Sequence, residues 1–245
     1  MNIKISMMML LFSQLLFSSH LWAATVTVYS LEAMPYCGLI NGHPSGIAID
    51  ILNEATKYGA PAFQFRFDIP WMRATQRVQY AKDELVAIIP FTRSAVREHQ
   101  FKWVAEIMAT EYRFYSYHRT VPVQSVGEIK HKTVGVVHGH AIIPMLANLG
   151  LRLDTGAKTA QKNILKMISK RFDVIADSDV IVMYNWKQAG LKMEELQVGP
   201  AIGQIKRVYI ATGLDFPDDV AAKISEAVAI MKQNGELQKI YDRWL

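Results

Sequence analysis

Hydrophobic and polar positions alternate along Val26-Thr27-Val28-Tyr29. They alternate more strictly along Phe63-Gln64-Phe65-Arg66-Phe67, and both patterns predict strands. Between them Ile47, Asp50, Ile51, Glu54 and Ala55 follow a helical period that Gly59 ends. Asn41-Gly42 and Pro44-Ser45-Gly46 mark turns ahead of that helix. A helix is predicted over 71–81, after Pro70, and the apolar run 85–89 reads as a buried strand. Strand and helix in alternation are the grammar of a mostly parallel sheet covered by helices. The pattern then repeats. A strand is predicted over 133–137, a helix over 140–149 stopped by Gly150, and a helix over 159–170. A strand over 172–176 and a helix over 179–188, stopped by Gly190, follow. An extended aromatic stretch, 111–119, separates the halves; a late strand, 207–212, precedes helices over 218–233 and 236–244. Two α/β units joined by extended segments predict two lobes. Ligands of such folds sit at the carboxyl ends of strands, near helix N-termini.

Residues 1–23 stand apart from this pattern. Lys4 and the amino terminus give a weakly positive start, an apolar run spans 7–17, and Leu21-Trp22-Ala23 ends in a small residue. The stretch predicts a secretory signal peptide cleaved after Ala23. No cysteine lies near the cut, which argues against a lipoprotein anchor. The 245 residues are 51% hydrophobic and 20% charged, which excludes a disordered chain and a collagen-like one. A single cysteine, Cys37, excludes a disulfide scaffold and is expected to pack as a small hydrophobe. Basic residues outnumber acidic ones by 27 to 22, but they are scattered, so nucleic acid is not an expected partner. Lys158, Lys162, Lys166 and Lys170 fall every fourth residue and are expected to form a solvated helix face.

Motifs for catalysis are missing. There is no G-x-S-x-G, GxGxxG, P-loop or H-E-x-x-H, so neither a cofactor nor a metal is expected. His138-Gly139-His140 offers two imidazoles but no neighbouring carboxylate at metal-ligand spacing. Asp177 and Asp179 read either as an acid–base pair or as an N-cap and first-turn acid of the helix at 179–188.

An ordered set of motifs is more specific. Pro35-Tyr36 is followed by Asn41-Gly42 and by Gly46-Ile-Ala-Ile-Asp50. Pro70-Trp71-Met72-Arg73 comes next, then Thr92 and, five residues on, Arg97. Val134-Gly-Val-Val-His-Gly139 leads into a helix, a strand ends at Asp177, and Gly235-Glu236-Leu237 with Trp244 closes the chain. The set resembles the bacterial extracellular solute-binding proteins of family 3, the polar-amino-acid class of importers, across nearly all of 24–245. The resemblance implies a two-lobed periplasmic-binding-protein fold of Venus-flytrap type with two hinge crossings. Residues 24–110 and 206–245 would form one lobe and 111–205 the other.

The resemblance also implies site residues. Arg97 matches the family's clamp for a ligand α-carboxylate, and a guanidinium suits that task through two parallel hydrogen bonds. Thr92 matches a hydroxyl that touches the same group. The helix start at His140 offers N–H groups to an anion. Asp177, or alternatively Asp179, would face the ligand amine, with Glu32 a further acid. Trp71 and Tyr36 would wall the cleft, and Arg73 would reach an acidic ligand. The family usually carries Ser or Thr where His140 and Ala141 stand; this departure weakens the case for a standard α-amino acid and implies either a different ligand or contacts through the backbone alone. The expected role is that of a monomeric, periplasmic, non-enzymatic binder that captures an amino acid or related carboxylate and hands it to the permease of an ABC importer. An enzyme resembling cyclohexadienyl dehydratases, and a sensor or degenerate binding module, are the alternatives.

Overall fold

The structure, a computed structural model, describes residues 25–117, 122–140 and 142–245. The expected signal peptide, the end of the aromatic stretch and Ala141 lie outside the described residues. In chain order the elements are β1 (Thr25–Tyr29), β2 (Gly38–Ile40), β3 (His43–Ser45), α1 (Ile47–Ala55), β4 (Ala62–Arg66) and α2 (Trp71–Gln79). Next come β5 (Val86–Thr92), β6 (Lys102–Thr110), β7 (Tyr112–Ser116), β8 (Thr133–Val137), α3 (Ile143–Asn148) and β9 (Arg152–Ala157). The chain ends with α4 (Ala160–Ile168), β10 (Val174–Ser178), α5 (Asp179–Gln188), β11 (Gln197–Ala201), β12 (Lys206–Thr212), α6 (Asp218–Gln233) and α7 (Glu236–Trp244).

The strands form two five-stranded sheets, ordered β4-β1-β5-β12-β6 and β11-β7-β10-β8-β9. Each has three parallel strands extended by two more through successive antiparallel pairings. Helices cover both faces of each sheet, so the inner strand β5 is an almost continuous apolar run rather than an alternating one. In the first sheet α1, α6 and α7 bury one face around Ile51, Ile107 and Ile224. The helix α2 covers the other face with Ala74 and Val78, against Ile88 and Phe91. The second sheet has Val134, Val136 and Leu146 on one face and Ile164, Met167 and Trp186 on the other. The two-lobed α/β fold expected from the sequence is the one observed. The chain passes between the sheets twice, at Glu111 and again over 202–205. No helix of the described residues is long and apolar enough to cross a membrane.

Three motifs now have structural explanations. Asp50 of the G-x-x-x-D motif accepts hydrogen bonds from Trp244 Nε1 at 2.9 Å and Arg243 at 3.3 Å, tying α1 to α7. Asn41 and Gly42 both have positive φ, 51° and 79°, as the two-residue turn of the β2–β3 hairpin requires. The lysine stripe is shorter than expected. The helix α4 is capped by Thr159 and stops at Ile168, which leaves Lys158 and Lys170 outside it, and Lys166 pairs with Asp154 at 2.7 Å.

Candidate functional site

A cavity of about 730 Å³ lies between the lobes. The first lobe contributes Tyr36, Trp71, Thr92, Arg97 and Lys206 to its wall; the second contributes Tyr112, His140, Ile142 and Ile181. A side compartment of about 390 Å³ shares His140, Ala33 and Ile181 with it and is lined by Glu32, Lys158 and Asp177. His140 therefore stands between the two spaces.

The first-lobe wall starts from an aromatic floor. Phe91 is fully buried and packs on Trp71, Phe101 and Trp103 at ring separations of 6.1, 4.7 and 5.7 Å. The strand β5 ends one residue later at Thr92, and the following turn folds Arg97 back over the floor. The Arg97 N–H donates to Ser94 O at 3.0 Å, its Nη1 donates to Thr92 O at 3.1 Å, and its guanidinium carbon lies 4.2 Å from the Phe91 ring centre. Burial alone lowers the Arg97 pKa from the ordinary arginine range. No carboxylate offsets that loss of hydration among the described residues. Arg93 differs: it pairs with Glu98 and lies over the Trp103 and Tyr209 rings. Lys206 and Val208 are two apart on β12 and face the cavity together, with Thr110 opposite Lys206 and Thr92 opposite Val208.

Tyr36 is fixed by the start of α1. The N–H groups of Ile47 and Ala48 donate to the Pro35 and Tyr36 carbonyls at 2.8 and 2.9 Å, which satisfies donors that every helix start leaves free. The Thr110 and Ser178 hydroxyls, at the ends of β6 and β10, neighbour the Tyr36 hydroxyl. Burial pushes its pKa well above the ordinary tyrosine value, and the hydroxyl stays protonated. Cys37, beside it, is fully buried and donates through Sγ to Leu31 O at 3.0 Å. Burial pushes the Cys37 thiol up to about 11. The unfolded thiol releases its proton near pH 9 and the folded one near pH 11, so stability is lost as pH rises through that window. The loss is on the order of 2 kcal/mol. Urea midpoints at pH 8 and pH 11 check it: Cys37→Ala should lose less stability over this interval than wild type, and equal losses would sink the assignment.

Several expected site residues are placed differently. The strand expected to end at Ala176 runs to Ser178, and Ser178 caps α5 by accepting from Ile181 N–H at 3.3 Å. Asp179 is turned to the hinge. Its Oδ1 accepts from Thr110 Oγ1 at 2.6 Å, Glu111 N–H at 3.2 Å and Val180 N–H at 2.7 Å, and it lines neither the cavity nor the side compartment. Asp177 is 2% exposed and lines only the side compartment. Its Oδ1 accepts from Ser178 N–H at 2.8 Å and lies 3.2 Å from His140 Nε2. Ile142 N–H donates to His140 Nδ1 at 3.2 Å, so the imidazole proton sits on Nε2 and points at Asp177. The Tyr112 ring meets His140 edge-on at 5.5 Å.

The helix expected from residue 140 begins at Ile143 and has six residues. The nearby N–H groups are taken within the loop, His140 by Val137 O and Ile143 by His140 O, both at 3.1 Å. The expected row of free N–H groups is therefore not present at His140. Glu32 is exposed at the rim of the side compartment. Arg73 is exposed on α2 and lines neither space. Lys206, Thr110, Tyr112 and the His140–Asp177 pair were not foreseen; the Lys206/Val208 alternation into the late strand was the available signal for the first of them.

No protein-family model and no curated protein matches the sequence. Solved structures match over most of the chain. The GluR0 ligand-binding core from Nostoc punctiforme, in complex with L-glutamate, is 16% identical, covering 90% of this chain and 99% of its own at a TM-score of 0.69. The second substrate-binding domain of GlnP from Lactococcus lactis, in an open conformation, is 18% identical, with 90% and 95% covered at 0.70. A histidine kinase sensor domain with similarity to periplasmic binding proteins is 17% identical, with 90% and 96% covered at 0.68. The likeness shows the fold: this chain has the two-lobed architecture of periplasmic-binding-protein-like ligand-binding domains.

Proposed function

We propose that the chain is an exported solute-binding protein of the extracellular family 3 type, which captures a small carboxylate-bearing solute between its lobes. Residues 24–110 and 206–245 form one lobe and 111–205 the other, and closure of the cleft is a shift between open and closed populations. The observation that carries this reading is Arg97. It is a half-buried guanidinium on the wall of an interlobe cavity, braced by Thr92 O and Phe91, with no acid partner among the described residues. Thr92 adds its hydroxyl, and Trp71 and Tyr36 supply apolar wall. Glu32 and Asp177, the acids an enzyme of the cyclohexadienyl-dehydratase type would draw on, do not line this cavity, which favours the binding reading. Residues 1–23 direct the chain to the periplasm and are cleaved off, and the permease of an ABC importer there reads the closed form. A sensory role is the second reading, favoured by the histidine kinase sensor domain of the same fold.

A thermal-shift screen of small carboxylic acids and amino acids on chain refolded from denaturant tests the proposal. A ligand at one hundred times its Kd adds about 2.7 kcal/mol. For a chain of this size that is roughly 5–10 °C in Tm. Small-angle scattering with the same ligand should show a smaller radius of gyration. A cooperatively folded protein that no carboxylate shifts would refute the reading.

A further inference from the structure

The charges around the interlobe cleft are unbalanced. Arg97 and Lys206 both line the cavity, and among the described residues neither has an acidic partner. The third cation on the wall, Arg93, is neutralised by Glu98. No carboxylate of the described residues lines the cavity to receive a ligand amine. Asp177, the acid placed by the strand end for that purpose, is shut into the side compartment and already accepts from Ser178 N–H and His140 Nε2. The His140 imidazole, which lines both spaces, stands against the Asp177 carboxylate. The cavity wall also carries the apolar side chains of Trp71, Ile142, Ile181 and Val208. A single carboxylate would leave one partly dehydrated cation uncompensated, and an ammonium group would meet two like charges and no acid.

Given that the cleft is a ligand site, we propose that it takes a small dicarboxylate without an ammonium group, one carboxylate on Arg97 and the other on Lys206. The hydrocarbon spacer lies along the apolar wall, and Thr92 donates its hydroxyl to the carboxylate on Arg97. The fork geometry of Arg97 suits a bidentate grip, whereas Lys206 acts as a point charge that tolerates spacers of different length.

Titration calorimetry on matched pairs tests this: succinate against aspartate, and glutarate against glutamate. Each pair differs by the amine alone. At least one dicarboxylate should bind tenfold or more tighter than its amino counterpart. Lys206→Met should weaken that dicarboxylate at least tenfold and leave the monocarboxylate butyrate unchanged. His140→Ala frees Asp177 and should narrow the gap within the pair. Tighter binding by the amino member of each pair, or no effect of Lys206→Met, would overturn the proposal while leaving carboxylate capture intact. Absence of heat with every acid, on a chain that unfolds cooperatively, would overturn both.

Discussion

Arg97→Ala is expected to abolish the ligand-induced rise in Tm while lowering the Tm of the ligand-free protein little. The two effects separate because Arg97 has no acid partner to strand. Its own contribution to the fold is one hydrogen bond to Thr92 O and its stacking on Phe91. The stacking is worth about 0.5–1 kcal/mol at a partly exposed site. Removing one partner of a desolvated, hydrogen-bonded charge pair costs about 2–5 kcal/mol of binding, or roughly 30-fold and upward in Kd. Arg97→Lys keeps the charge and loses the fork, so it should fall between the two. Calorimetry and thermal melts on all three proteins check this. A variant that still binds within threefold of wild type would remove Arg97 from the site.

The elements that sequence pattern reveals are those with a regular period or strong burial; even the edge strand β4 shows through its strict alternation. The run 85–89 is buried on both faces, and the helices at 179–188, 218–233 and 236–244 were placed at their observed bounds. The pattern does not mark the short hairpin strands β2 and β3, nor β6, β9 and β11, which are all edges of the two large sheets. Edge strands need bury only part of their surface and tolerate residues that central strands exclude. Gln197–Ala201 carries Gly199 and Pro200, half of Arg152–Ala157 is polar, and Lys102–Thr110 includes helix formers such as Ala105, Glu106 and Met108.

The site was partly legible for a similar reason. Arg97, Thr92, Trp71, Tyr36 and His140 were named from ordered motifs and meet at one cavity. What the motifs could not convey was which carboxylate is already occupied. Asp177 and Asp179 are two apart and would share a face of one strand, but β10 ends at Ser178 and α5 begins at Asp179, which leaves one on the His140 side and the other at the hinge. For Lys206 the alternation with Val208 marks a shared strand face, but that this face meets the cleft depends on Thr110 lying opposite it, a pairing across nearly a hundred residues.

Gly46→Ala is expected to be the most damaging conservative change near the cleft. Gly46 has φ 129° and ψ 168°, a region that only glycine occupies without strain. A Cβ there would lie 2.7 Å from Tyr36 O and Cys37 Cα and 2.8 Å from Cys37 N. These are backbone atoms, so no side chain can swing away to make room. They are also the backbone that the start of α1 pins through the Tyr36 carbonyl, and that backbone aims the Tyr36 ring at the cavity. Strain and collision together should cost about 3–4 kcal/mol. Gly59→Ala is the control: Gly59 also has positive φ, 98°, but a Cβ there meets nothing within 4 Å. Its cost is the left-handed penalty alone, roughly 1–2 kcal/mol. Gly46→Ala should therefore lose about twice the stability of Gly59→Ala. It should also weaken ligand binding at temperatures where it remains folded, because relieving the contact moves the Tyr36 loop, whereas Gly59→Ala should bind normally. Equal losses from the two variants would mean that the Tyr36 loop yields freely, and the rigid wall ascribed to it would have to be abandoned.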